Sequence, residues 1–150
     1  MSEFLKVDEP PLGSDPSVIA RIFARTRTIA VVGLSPKPEK DSHRVALYLQ
    51  TVGYRIIPVY PKEDVILGEK VYRSLSEIEG KVDMVDIFRK NDHIPAVVDE
   101  ALARGDVECI WIQLGLVNNE AARRALAAGL KVIQNRCTKV EHQKLHGKLF

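Results

Sequence analysis

The chain predicts an α/β fold: a doubly wound, mostly parallel five-stranded sheet with helices on both faces. Three observations predict it. Five short segments are apolar almost throughout, the segments between them carry helical spacing, and the strand starts are separated by 26, 28, 25 and 23 residues. Continuous β-branched runs suit parallel strands covered on both faces. A recurrence of that size is a strand plus its crossover helix, and the alternation of the two kinds of segment selects the doubly wound class.

Each element has its own reason. Asp15-Pro16 supplies an N-cap and a first-turn proline for a helix that puts Val18, Ile19, Ile22 and Phe23 on one face. Thr28–Leu34 is the first strand, and Val45, Tyr48, Leu49 and Val52 give the segment from Ser42 to Gly53 a helical stripe. Tyr54–Val59 is the second strand, followed by a turn at Glu63 and Asp64, and Ser74–Gly80 is long enough for one or two helical turns. Val82–Phe88 is the third strand. Asp92–Arg104 is a helix with Asp92 as N-cap, Gly105 past its end, and Ile94, Val97, Val98, Ala101 and Leu102 on its inner face. Val107–Leu114 is the fourth strand. Asn118–Ala128 turns Ala121, Ala122, Ala125 and Leu126 inward, Leu130–Asn135 is the fifth strand, and a last helix runs from about Lys139 to Lys148.

Composition narrows the function classes. The 150 residues suit one domain, spanning 1–150 with residues 1–14 as an N-terminal arm. Twenty-two Lys and Arg against 20 Asp and Glu leave a net charge of +2, without the basic excess of a dedicated nucleic-acid binder. No apolar run approaches the ~20 residues of a membrane helix, and Met1 to Pro11 lacks a signal-peptide pattern. Two cysteines, Cys109 and Cys137, make no disulfide framework, so a reducing cytoplasm is expected.

Sheets of this class bind ligands beyond the carboxyl ends of their strands. Those ends are Gly33-Leu34-Ser35-Pro36-Lys37, Tyr60-Pro61-Lys62, Phe88-Arg89-Lys90, Gln113-Leu114-Gly115 and Asn135-Arg136-Cys137, a polar, cationic set almost free of acids. At the first end a glycine permits close backbone approach, and a helix N-terminus nearby presents free N–H groups to a phosphate. Ser35 and Ser42 add hydroxyls and Lys37 a mobile charge. The loop is not G-x-G-x-x-G, so Gly33 either admits a phosphate or only packs a tight turn. At the second end an NAD site would place an acid. Lys62 there suits a ribose bearing phosphate, as in NADP or coenzyme A, although a solvated surface lysine reads the same way.

In these residues the chain resembles the small stand-alone coenzyme A-binding proteins, Rossmann-like domains related to the N-terminal part of the succinyl-CoA synthetase α subunit. The matching stretches are IAVVGLSPKPEKDSHRVALYLQTVGYRIIPVYPK, ILGEKVYRSL, VDMVDIFRK, WIQLGLVNNEAARRALAAGLKVI and NRCTKVEHQKL, from about Ile29 to Leu145. The resemblance implies coenzyme A or an acyl-CoA as ligand. It implies that Gly33, Leu34 and Ser35 face the pyrophosphate, with Lys37 and Lys62 near phosphates. Tyr60 and Pro61 would flank the adenine or ribose, and Phe88 and Arg89 would line the groove. Gln113 and Gly115 would lie along the pantetheine arm or its thioester end. Tyr60 departs from the asparagine that many relatives carry before the proline.

No catalytic constellation emerges. His142 and His146 stand at i,i+4 on the last helix, a spacing that can share a metal but is commoner on a surface, and no H-E-x-x-H pattern accompanies them. Cys109 reads as a packed small hydrophobe and Trp111 as core. Cys137, beside Arg136 and near Lys139, is either a reactive thiol at the groove or a structural residue at the sheet end. The reading is therefore a coenzyme A-binding protein without autonomous catalysis. An NADP-dependent oxidoreductase and a coenzyme A-binding subunit of a multi-chain acyl-CoA ligase are the alternatives. The length leaves no room for the catalytic domains of the large synthetases.

Overall fold

The structure is a computed structural model that describes residues 9–147. In chain order its strands are β1 (Thr28–Val32), β2 (Arg55–Val59), β3 (Val65–Ile66), β4 (Glu69–Lys70), β5 (Met84–Ile87), β6 (Cys109–Ile112) and β7 (Lys131–Gln134). Its helices are α1 (Ile19–Arg25), α2 (Asp41–Thr51), α3 (Ile94–Arg104), α4 (Asn119–Ala127) and α5 (Thr138–Gly147).

The β-branched runs do what runs buried on both faces should. Five strands form one sheet in the order β2-β1-β5-β6-β7, every pair parallel. Alternate side chains feed two separate cores. Val32, Val85, Ile110 and Val132 pack under α3 and α4, whereas Val31, Met84, Trp111 and Ile133 pack under α1, α2 and α5. The three alanines on the inner face of α4 are fully buried. Trp111 is also fully buried, 5.4 Å from the Phe23 ring, and its indole N–H donates to the Arg136 carbonyl at 2.8 Å.

Both sheet edges are covered. Pro58 lies in edge strand β2, where a missing N–H is tolerated, and Tyr72 pairs alongside Val59. The β7 edge is covered by the N-terminal arm. Leu12 N–H donates to Asn119 Oδ1, Gln134 Nε2 donates to the Leu12 carbonyl, and Gln134 N–H donates to Ser14 Oγ at 2.9 Å. An edge blunted in this way cannot template a second chain. Residues 1–8 of the expected arm and Lys148 of the last helix lie outside the described residues.

Local differences from the expected elements have local causes. Each strand starts or stops one or two residues inside its apolar run because pairing ends where the neighbouring strand ends. Asp92 does not cap. Asn91–His93 form a 3₁₀ turn, and α3 starts at Ile94 with Pro95 in its first turn. Ser74–Gly80 contributes one such turn, Leu75–Glu77. Leu126 and Val52, expected inside, are 39% and 43% exposed, each at a helix's last turn, where the chain turns away. The hairpin β3–β4 was not expected. It turns at Leu67-Gly68, both with positive φ, between strands of two residues that are too short for periodicity to register. Asp15 and Gly105 cap as anticipated, and Asn118 caps α4 by accepting from Ala121 N–H.

Candidate functional site

After β1 the chain winds outward to β2, then returns past β1 to β5 and winds the other way. An open sheet leaves its crevice at that reversal, outside the carboxyl ends of β1 and β5. Gly33 sits there with φ +90°, and a Cβ on it would lie 2.5 Å from the Phe88 carbonyl oxygen. The backbone therefore passes too close to β5 for any side chain.

The loop that follows is pinned to the start of α2. Ser35 N–H donates to Ser42 Oγ at 3.0 Å, Lys37 N–H donates to Ser35 Oγ at 3.1 Å, and His43 Nδ1 donates to the Ser35 carbonyl at 2.8 Å. Arg44 reaches back to the Glu39 carbonyl and the Asp41 carboxylate. Ser42 is thus a buried anchor whose hydroxyl oxygen accepts from the loop. Leu34 is fully buried against α1 and α2, so only its backbone faces the crevice. Lys37 is exposed on the loop.

Two grooves flank Arg89. The smaller, about 210 Å³, is walled by Tyr60, Pro61, Arg73, His93 and Glu100. The larger, about 720 Å³, is walled by Arg44, Phe88, Gln113, Cys137 and Lys139, and Arg89 lines both. Tyr60, Pro61, Phe88, Arg89, Gln113 and Cys137 are thereby brought together. Gly33, Leu34, Ser35, Lys37, Ser42, Lys62 and Gly115 are on neither wall. The Lys62 carbonyl accepts from Arg73, and Gly115 N–H donates to Asn135 Oδ1 at 2.8 Å, which ties down the loop after β6.

Sequence reasoning missed two members of this end of the sheet. Arg73 donates to the carbonyls of Tyr60 and Lys62, both at 3.0 Å, and so shapes the tip of β2 from a segment without periodicity. Asp86 is a fully buried acid on β5, directly below strand ends that looked almost free of acids. Its only signal was a carboxylate inside an apolar run. Gln113 Nε2 donates to Asp86 Oδ1 at 2.6 Å and to Thr138 Oγ1 at 2.8 Å, and the Thr138 hydroxyl donates to Asp86 Oδ2 at 2.9 Å. Burial pushes the Asp86 carboxyl up to about 7, against the opposing pull of those two hydrogen bonds.

That shift has a sign. The folded chain binds a proton more tightly at Asp86 than the unfolded chain, so this contribution is full below the ordinary carboxylate range and is lost as pH rises through about 7. Asp86→Asn removes it. Unfolding free energies measured by urea titration from pH 4 to 8 are expected to change in favour of the variant, relative to wild type, as pH rises.

The histidine pair divides: His146 is exposed on the last turn of α5, whereas His142 is not. His142 is buried against Phe23 and Tyr54, its Nδ1 lies 2.7 Å from the Tyr48 hydroxyl, and its ring is 4.2 Å from that of His146. Burial, then His146, lowers its pKa. His142 fastens α5 to α1 and α2 through Phe23 and Tyr48. Among the described residues no three His, Cys, Asp or Glu gather as a metal group, and no helix is long and apolar enough to cross a membrane.

Relatives share this arrangement. The uncharacterized protein YneT of Bacillus subtilis is 44% identical over 124 residues, covering 83% of this chain and 91% of that one. The ADP-forming acetate–CoA ligase of Methanocaldococcus jannaschii is 27% identical over 110 residues, which is 73% of this chain but 15% of the ligase. The solved structure of a hypothetical protein from Pyrococcus horikoshii superposes with a TM-score of 0.85 at 38% identity, covering 93% of this chain and 99% of that chain. The family model described as the CoA binding domain matches residues 27–143, which takes in the whole sheet and both grooves, and the chain belongs to that family.

Proposed function

We propose that this chain binds coenzyme A or an acyl-CoA at the carboxyl end of its sheet, and that it does so without chemistry of its own. The observation that carries the reading is the pair of grooves meeting at Arg89 beneath the pinned Gly33 loop. A guanidinium at that junction suits a pyrophosphate linking two parts of a ligand. The N–H groups of Asp41 and Ser42, at the start of α2, meet no acceptor among the described residues, which leaves donors for phosphate beside it. Tyr60 and Pro61 offer a flat wall for adenine. The larger groove takes a long, thin arm past Phe88 towards Gln113 and Cys137. Cys137 stands where a thiol would meet the sulfur end of such a ligand. In Cys109, by contrast, burial pushes the thiol up and keeps it protonated. Both cysteines are free, which fits a reducing cytoplasm.

A second reading, a coenzyme A-binding subunit of a multi-chain acyl-CoA ligase, is favoured by the similarity to the acetate–CoA ligase, of which this chain corresponds to 15%. Recovery of an ATP-binding ligase chain on pull-down separates it from the first.

Isothermal titration against CoA, acetyl-CoA, NADP and NAD tests the reading. Heat with the CoA species is expected, and clear NADP binding without CoA binding overturns it in favour of an oxidoreductase. Ser35→Asp is expected to weaken CoA roughly tenfold by repulsion of phosphate. The fold should survive, because an aspartate can still accept from Lys37 N–H, and an unchanged melting temperature checks that part.

A further inference from the structure

Asp86 is a buried acid without a basic partner. Its polar contacts are Gln113 and Thr138, and all three hydrogen bonds of the triangle run inward, two to its carboxylate oxygens and one between the partners. Both amide hydrogens of Gln113 are consumed there. The Gln113 amide oxygen accepts no hydrogen bond among the described residues. The buried polar side-chain atom left without a partner lies elsewhere, at Arg124 Nε, so the oxygen is the part of Gln113 that reaches the larger groove.

From this geometry we propose that Asp86 and Thr138 are positioning residues that set which end of the Gln113 amide faces the ligand. As a carboxylate, Asp86 can only accept, so it holds the amide nitrogen inward and turns the oxygen to the groove. The groove then offers an acceptor, matched to an N–H donor such as an amide of the ligand's arm. Once protonated, Asp86 donates to the Gln113 oxygen, the amide turns over, and the groove is offered an NH₂ instead. The proposal rests on the reading of the larger groove as the site of the arm.

The surroundings leave Asp86 free to act in this way. Its register neighbours are Val31 of β1 and Trp111 of β6, and α5 contributes Thr138. Among the described residues Cys109 of β6 feels its charge: burial, and then Asp86, push that thiol up. Burial places the Asp86 carboxyl near 7, so both forms are populated around neutrality.

The test uses the full chain and two readouts. The first is NMR of the ¹⁵N-labelled Gln113 side-chain amide without ligand. Its hydrogens are expected to be protected from exchange at pH 8 and to lose protection by pH 6 in wild type and in Thr138→Ser. Asp86→Asn, which cannot change charge, is expected to show no such transition. The second is the ratio of affinities for CoA and for adenosine 3′,5′-bisphosphate, which has the phosphates without the arm. That ratio is expected to rise about threefold to tenfold from pH 6 to pH 8 in wild type, to stay flat in Asp86→Asn and Gln113→Met, and to fall in Thr138→Val. An exchange profile that Asp86→Asn leaves unchanged overturns the proposal. Wild type that shows the amide transition yet binds no CoA overturns the functional reading and leaves the positioning role of Asp86 standing.

Discussion

Gly33→Ala is expected to lower the stability of this protein by about 2–5 kcal/mol. Two costs combine. A positive φ costs an L-residue roughly 1–2 kcal/mol, and a Cβ 2.5 Å from the Phe88 carbonyl must push β1 and β5 apart at the switch point, an overpacking cost of roughly 1–3 kcal/mol. For a domain of this size the midpoint of thermal unfolding falls by roughly 5–15 °C, which calorimetry reads directly. Gly115→Ala is the contrast. That glycine also has φ +90°, but open space surrounds its Cβ position, so only the conformational cost applies. Equal losses in the two variants would show that the close approach at the switch point contributes nothing.

Arg89→Ala is expected to weaken coenzyme A binding by about 10–100-fold, the range for a lost hydrogen bond to a charged group. Arg89 is half-buried, lines both grooves, and among the described residues its guanidinium makes one hydrogen bond, to His93 Nδ1 at 3.4 Å. The fold should therefore keep its melting temperature while the ligand loses its central cation. Titration calorimetry beside a thermal scan separates the two effects. Undiminished affinity for CoA would remove the junction of the grooves from the site. Arg73→Ala is a useful companion, because Arg73 holds the carbonyls of Tyr60 and Lys62, and its loss reshapes the smaller groove as well as removing charge.

The sheet was legible because parallel strands buried on both faces must be apolar on both faces, and TIAVV, RIIPV and CIWI can hardly be anything else. The helices were legible through stripes such as Val45 with Leu49 and Val98 with Ala101. Caps at Asp15 and Gly105 announced themselves because orphan backbone groups need those residue types. The hairpin β3–β4 did not, since a pair of two-residue strands has no period to read.

Position along the chain named the loops at the carboxyl end of the sheet but could not orient their side chains. Leu34 sits in the expected loop, yet its side chain plugs the core beneath α2. Ser42 reads in the sequence as a hydroxyl donor, and the structure adds that its oxygen also accepts from Ser35 N–H. His142 looked like a surface residue near a chain end, and four aromatic neighbours enclose it.

What the sequence by itself determined is the class of sheet, the family, and which five loops meet at the carboxyl end of the sheet, because strand periodicity and chain order are local and linear properties. Only the tertiary structure decided that Arg89 stands between two grooves, that Arg73 shapes the β2 tip, and that Asp86, Gln113 and Thr138 close a triangle across 52 residues of chain. Those depend on strands β5 and β6 lying side by side with α5 above them. A carboxylate acquires its role from what packs around it, and no spacing along the chain states what that will be.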